Sequence, residues 1–317
     1  MNFTPNAPGA AAISTADALY GAIEAGGTKF VVAVAHATGA ILNQSRIETR
    51  DPAATLADVF DFFRAAERAA GAVEAFGVGS FGPLELRRGA PGYGFITNTP
   101  KPGWRNTDLL GTLQRGFARP VGFDTDVNAA ALAELRWGGG RHLQSLAYVT
   151  VGTGIGGGMI HHGQPVHGLM HPEIGHVRVL RHPTDSLFAG VCPFHGDCLE
   201  GLASGPAILA RTGRSLADTR PNDPIWGIEA DYLGQLCAQL VLMHSPQRIF
   251  LGGGVMQHQR LYGEIADRMR HWLGGYLPHE ELQSENYVVP PALGANVGVM
   301  GALAIAVEAA AGFGAPG

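Results

Sequence analysis

Two short glycine turns, each set between apolar runs, constrain this chain more than any other feature. Tyr20-Gly-Ala-Ile23 and Lys29-Phe-Val-Val-Ala-Val-Ala35 read as strands flanking Glu24-Ala-Gly-Gly-Thr28. Farther on, a strand over 146–150 runs into Gly152-Thr-Gly-Ile-Gly-Gly-Gly158, and Met159-Ile160-His161-His162-Gly163 reads as a returning strand and turn. Glycines bend through conformations that a Cβ disfavours, and their backbone N–H groups can face a phosphate. The second turn also fits G-x-G-x-x-G. That pattern marks a dinucleotide site only where it opens a helix, and here a strand follows. One glycine hairpin per half implies a duplicated α/β fold whose two lobes each present a phosphate-binding turn to one central cleft.

The rest of the chain fits that frame. At 317 residues it can bury two sizeable cores. A net charge of −5 excludes the basic excess that nucleic-acid binding needs. No apolar run approaches the roughly 20 residues of a membrane helix, and the first residues lack the pattern of a signal peptide. Residues 1–19, rich in Ala, Pro and Asn, read as a disordered start. The first lobe is expected over 20–123 and the second over 124–295, with a last helix over about 296–312 packing back on the first.

Leu56, Val59, Phe60 and Phe63 are spaced as one helix face. A strand over 75–80 precedes a Gly- and Pro-rich stretch, 81–104, that reads equally as a cleft cover or a plain surface loop. Val121-Gly-Phe-Asp-Thr-Asp126-Val-Asn128 then runs straight into a helical pattern. Asp126 falls at the carboxyl end of a strand, where open α/β sheets present chemistry. The competing reading makes Asp126 or Asn128 a helix N-cap, and nothing local decides between them. Ser204-Gly-Pro206 starts a helix, a longer one covers 226–243, a strand covers 248–251, and Gly252-Gly-Gly254 leads to a helix from about Gln257. The small residues from Ala295 onward suit close packing or a nucleotide face.

Between Glu173 and Gly205 lies the densest chemistry. Cys192 and Cys198 stand six apart with His195 midway, and Gly196 lets the turn bend. His176 is the best fourth ligand for a closed tetrahedral site, and a Cys₂His₂ set favours zinc over magnesium or calcium. The alternatives are two buried thiols beside a surface histidine, or a Cys192–Cys198 disulfide. Nothing else in the chain reads as secreted, and Cys237 lies in an apolar helical pattern as a core residue, so a reducing compartment, the cytoplasm, is expected. Glu173 and Glu200 bracket the ligand set, and a structural metal there would hold two carboxylates at fixed positions to grip polyol hydroxyls.

Together these segments resemble the ROK family of sugar kinases, within the hexokinase/actin-like ATPase superfamily, over roughly residues 20–312. The carrying motifs are Glu24-Ala-Gly-Gly-Thr28, Asp126-x-Asn128, Gly152 to Gly158, Glu173-x-Gly-His176, the cysteine cluster and Gly252-Gly-Gly254. The Cys-x-x-His-x-x-Cys-Leu-Glu-Gly-Leu-Ala-Ser-Gly-Pro run and Thr99-Pro-Lys-Pro-Gly-Trp104 resemble the zinc-containing bacterial fructokinases. Two positions differ from much of the family: Glu24 stands where Asp is common, and Thr125 where Asn often precedes the catalytic Asp. Both look like the fructokinase branch.

The resemblance implies a ribonuclease H-like two-lobe fold and phosphorylation of D-fructose by ATP. It makes Asp126 the general base. It assigns the ATP phosphates, with Mg²⁺ bridging them, to Gly26, Gly27, Thr28 and Lys29 and to Gly152, Thr153 and Gly154. The adenosine side falls to Gly205, Pro206, Gly253 and Gly254. Glu173, His176 and Glu200 are expected on the sugar, with His176, Cys192, His195 and Cys198 on zinc, and the chain is expected as a homodimer. Alternative acceptors are mannose, glucose or an N-acetylhexosamine. A sugar-responsive repressor of the same family would carry a helix-turn-helix domain ahead of Tyr20, for which the stretch is too short. A silent sugar sensor is disfavoured by the retained Asp126.

Overall fold

The computed structural model of the protein describes residues 17–214, 218–220 and 222–312. The disordered start expected over 1–19 lies, up to residue 16, outside them. The first half opens with an antiparallel meander, β1 (Leu19–Ala25), β2 (Lys29–His36) and β3 (Ile41–Glu48), followed by helix α1 (Pro52–Ala70) and strand β4 (Val73–Ser80). The two-residue strands β5 (Phe95–Ile96) and β6 (Thr107–Asp108) lead to α2 (Leu109–Phe117), β7 (Val121–Thr125) and α3 (Asp126–Arg136). In the sheet the order is β3-β2-β1-β4-β7, with β4 and β7 parallel to β1.

The second half repeats this plan. β8 (Leu146–Val151), β9 (Ile155–His161) and β10 (Gln164–Pro165) form the meander. After a long insertion come α4 (Leu199–Ala203), α5 (Gly205–Thr212) and α6 (Ile225–His244), then β11 (Ile249–Gly252), α7 (Arg260–Leu273), β12 (Val288–Val289) and α8 (Val297–Ala310). The order β10-β9-β8-β11-β12, with β11 and β12 parallel to β8, matches the first sheet strand for strand. The helix expected from about Gln257 starts three residues later, because 255–257 form a short 3-10 turn.

Side-chain alternation explains how each sheet is covered. Leu19, Ile23 and Ala25 on β1 and Phe30, Val32 and Val34 on β2 face α1, whose Leu56, Val59 and Phe63 complete that core. Tyr20, Ala22, Val31, Ala33 and Ala35 face the other way, onto Val299, Ala302, Leu303 and Ala306 of α8. A Cβ on Gly77 of β4 would lie 2.0 Å from the Ala302 carbonyl oxygen, and one on Gly301 would lie 2.0 Å from that of Ala129. The small residues of α8 therefore serve close packing, against the first sheet and against α3. In the second half α6 plays the part of α1, burying Trp226, Tyr232, Leu233, Leu236 and Cys237 against β8 and β11.

Candidate active site

The cleft between the two sheets has a volume of about 660 Å³, and both glycine turns open onto it. That volume suits a small polar substrate beside a cofactor-sized one. In the first turn the Gly26 N–H donates to the Lys29 carbonyl at 3.0 Å, and a Cβ at Gly26 would sit 2.7 Å from that same oxygen. The Thr49 hydroxyl donates to the Gly26 carbonyl at 2.7 Å and fixes the turn from behind. In the second turn the Gly152 N–H donates to the Gly154 carbonyl at 2.9 Å. The Gly205 N–H donates to the Gly152 carbonyl at 2.8 Å, which seats the start of α5 against the turn. Gly27, Thr28, Gly152, Thr153, Gly154 and Pro206 line the cleft. Gly26, Lys29 and Gly205 flank those residues in sequence. Gly253 holds φ +94 and lies so close to the Val151 carbonyl that a Cβ would come within 2.3 Å of it, so Gly253 and Gly254 form the base behind the second turn.

The glycine run beyond Gly154 has another cause. A Cβ on Gly157 would lie 2.0 Å from Ile174 Cδ1, and one on Gly158 would lie 2.3 Å from the Val127 carbonyl oxygen. These glycines admit the insertion on one face of β9 and α3 on the other.

Asp126 is the first residue of α3, and the N-cap is Thr125, whose hydroxyl accepts the Asn128 N–H at 3.1 Å. Both N-cap alternatives, Asp126 and Asn128, are thus overturned, because Thr125 already supplies the capping oxygen. Thr125 is buried, and its oxygen is committed to the helix. The Asp126 carboxylate faces the cleft with one local bond, from the Val127 N–H at 2.9 Å. Burial, and then the nearby Glu24 and Glu173 carboxylates, push its pKa up to about 7. Glu24 is itself raised by burial, partly offset by Lys29 and Arg46. It faces α8, where a Cβ on Gly298 would come within 2.3 Å of its carboxyl carbon.

Glu173 and His176 meet Asp126 from the opposite wall, on a 3-10 turn whose His176 N–H donates to the Glu173 carbonyl at 3.0 Å. Burial and then Glu200 raise Glu173 to about 7. Glu200 sits on α4 and accepts the Ile155 N–H at 3.0 Å, so this carboxylate braces the second glycine turn while lining the cleft.

His176, Cys192, His195 and Cys198 converge, their ligand atoms all within 4.8 Å of one another. His176 Nδ1 lies 3.4 Å from Cys198 Sγ and 3.8 Å from Cys192 Sγ, and His195 Nδ1 lies 3.6 Å from Cys192 Sγ. Ordinary Zn–S and Zn–N lengths at a tetrahedral angle give N···S edges of about 3.6 Å, so the donor set fits the ion. Gly196 at φ +66 closes the knuckle, with the Cys192 N–H donating to the Gly196 carbonyl at 3.1 Å. All three cysteines are free thiols, against the disulfide alternative. Both histidines turn Nδ1 to the cluster, which leaves Nε2 of His176 for the cleft it lines.

The 81–104 stretch is a cleft wall and not a plain surface loop. Trp104 is fully buried and its indole N–H donates to the Arg50 carbonyl at 2.7 Å, which holds Asn98 to Lys101 along the cleft. His171, Lys101 and Phe194 also line it and were not expected from sequence. For Lys101 a signal existed, since Lys29 and Lys101 are the chain's only lysines.

Two sheets of one topology, facing glycine turns and a carboxylate-rich cleft define a duplicated α/β protein of the hexokinase/actin-like architecture, as expected. The sequence pattern of the ROK family matches residues 20–309, and the chain belongs to that family. The fructokinase of Zymomonas mobilis is 44% identical over 294 residues, which cover 92% of this chain and 97% of the relative. The crystal structure of the ROK hexokinase from Thermus thermophilus matches at a TM-score of 0.74 with 28% identity, covering 91% of this chain and 98% of that one. A ROK glucokinase from Streptomyces griseus, crystallised with glucose and AMPPNP, matches at a TM-score of 0.70 with 26% identity over 92% of this chain and 99% of its own.

Proposed function

We propose that this protein is an ATP-dependent fructokinase that converts D-fructose to fructose 6-phosphate. One observation carries the reading. In a chain 44% identical to a fructokinase, the cleft holds a carboxylate of raised basicity, Asp126, between two glycine turns and a Glu173/His176 wall. Asp126 accepts the proton of the C6 hydroxyl as that oxygen bonds to the γ-phosphorus of ATP and the bond from phosphorus to the β–γ bridging oxygen breaks to release ADP. A base tuned near neutrality suits this step. Phosphoryl transfer asks mainly for in-line positioning and charge neutralisation. Backbone N–H groups of Gly27, Thr28, Thr153 and Gly154 hold the phosphates, and the start of α5 at Gly205-Pro206 faces the nucleotide. Mg²⁺ bound with ATP would supply neutralisation of the phosphate charge.

Glu173, Glu200 and Nε2 of His176 orient the sugar hydroxyls. His176, Cys192, His195 and Cys198 would hold a structural zinc, which fixes the wall on which Glu173 stands. The free thiols suit a reducing cytoplasm, and among the described residues no helix is long and apolar enough to cross a membrane. The working unit is a homodimer, for which the exposed Leu180 and Leu187 of the insertion offer apolar surface.

The test is kcat/KM for fructose, mannose, glucose and N-acetylmannosamine at saturating MgATP. Fructose is expected to lead by about tenfold or more, a difference of about 1.4 kcal/mol. A tenfold lead for glucose or the N-acetylated sugar would overturn fructose as the substrate and leave the kinase reading in place.

A further inference from the structure

Glu173 has a difficult place in the cleft. Its carboxylate is part-buried, and its charged neighbour Glu200 repels it. Among the described residues its one polar side-chain partner within ion-pair distance is His171, whose Nδ1 lies 3.4 Å from Glu173 Oε1. His171 stands out in its own segment, since Gly168, Leu169 and Met170 are exposed while His171 is buried at 5% exposure.

The other ring nitrogen faces the opposite half of the molecule. His171 Nε2 accepts the Leu84 backbone N–H at 3.1 Å, across 87 residues of sequence. Leu84 lies on the loop that leaves β4 and forms the first half's wall of the cleft. A Cβ on Gly82 would lie 3.7 Å from His171 Cε1, so this loop passes beside the imidazole. These contacts fix the tautomer. An Nε2 that accepts a backbone N–H carries no proton, so the ring proton is on Nδ1, the nitrogen that lies 3.4 Å from Glu173 Oε1 and also beside the Pro172 backbone. Burial lowers the pKa of His171 and keeps the ring neutral, partly offset by Asp124.

From this geometry we infer that His171 is a positioning residue for the sugar site, a strut across the cleft that aims the Glu173 carboxylate and locks that aim to the Leu84 loop. The inference rests on the reading above, in which Glu173 grips the sugar. It makes the orientation of one sugar-binding group depend on how the two walls sit against each other. A neutral donor suits this role. It stands beside one carboxylate oxygen and leaves the other for a hydroxyl, without adding a charge that would compete for the phosphates.

Two amide substitutions separate the halves of the strut. Asparagine places an N–H donor near the position of Nδ1, whereas glutamine places an acceptor near that of Nε2. In zinc-loaded enzyme with MgATP, His171→Ala is expected to raise the KM for fructose by about tenfold or more, the scale of a lost hydrogen bond to a charged group, with the KM for ATP within about twofold. H171N is expected to recover most of the fructose KM. H171Q is expected to keep the wild-type Tm, through Leu84, and to leave the fructose KM high. Adding Glu173→Gln to H171A should raise KM little beyond E173Q alone, because the two act as one unit.

Equal rescue by both amides, full additivity with E173Q, or an unchanged fructose KM in a folded H171A would overturn the inference and leave the fructokinase reading standing. Should H171A not fold, H171N against H171Q decides the matter alone. A wild-type enzyme that phosphorylates no hexose would instead overturn the parent reading and this inference with it.

Discussion

The two halves lay down the same five strands in the same order, yet they leave the third strand in different ways. In the first half only residues 49–51 separate β3 from α1. In the second, residues 166–224 separate β10 from α6, the helix that plays the same part. Glu173, His176, Glu200 and the whole metal set lie in that extra length, and neither glycine turn does. On the reading proposed above, the plan common to both halves supplies the phosphate-facing backbone. What one half adds supplies the side chains that meet the acceptor, along with Glu200 and Gly205, which brace the second turn. Asp126 falls at the junction, directly after β7 of the first sheet and first in α3, which packs on the second.

That division is broken most directly at the junction. Asp126→Asn removes the base without touching either turn or the insertion, so kcat should fall by about 10²–10⁴-fold while the KM values for ATP and fructose stay near wild type. The pH profile follows from the same residue. Asp126 must be ionised to accept a proton, and its pKa is raised to about 7. The wild-type kcat/KM should therefore climb with pH through about 7, and the residual activity of D126N should lack that limb. Turnover near wild type in D126N would remove the residue from the mechanism.

Much of this was legible before any coordinates. Turn glycines announce themselves because they cluster between two apolar runs, and cysteine–histidine spacing is a local property. The identity of the α3 cap was not legible, since Thr125, Asp126 and Asn128 all make acceptable caps and only the backbone path selects among them. The Gly156–Gly158 run looked like part of the phosphate turn, although its cause is Ile174 and Val127, contributed from elsewhere in the chain. His171 was invisible for a related reason. A lone histidine gains meaning only from Leu84, 87 residues away.

Metal removal tests whether the added region acts alone. Cys198→Ser is expected to abolish stoichiometric zinc, lower Tm by about 5–10 °C, and raise the fructose KM by about tenfold, with the ATP KM within about twofold. The asymmetry is the informative part. His176 belongs to the candidate ligand set and stands on the Glu173 turn, whereas the first phosphate turn is held by Thr49, outside the added length, and the second by Gly205 as well as Glu200. Equal losses for both substrates would mean that metal and turns form one cooperative unit. Folded, active enzyme without zinc would remove the metal from the account.

The finest contrast lies in one pair of equivalent strands. From its first pairing with β1, β2 runs Phe30-Val31-Val32-Ala33, and from its first pairing with β8, β9 runs Ile155-Gly156-Gly157-Gly158. Val32 fills its own half's core, with 0% exposure. At the equivalent place Gly157 leaves that space to Ile174, which sits between Glu173 and Gly175 on the substrate wall. Gly157→Ala forces Ile174 Cδ1 to give way, because the two carbons would lie 2.0 Å apart. Ile174 is 7% exposed and packed in the second core, so displacing it presses on the turn that carries Glu173. The cost of such overpacking is about 1–3 kcal/mol. The fructose KM should rise several-fold while the ATP KM holds, because Gly152 and Gly154 lie ahead of the altered position. Ile174→Ala removes both Cδ1 and Cγ1, which the new Cβ would meet at 2.0 and 2.6 Å, so the double variant G157A/I174A should recover Tm and fructose KM beyond the sum of the single changes. A G157A enzyme weakened equally for ATP would show instead that the glycine run belongs to the phosphate turn, and the line between shared plan and added wall would have to be drawn past Gly158.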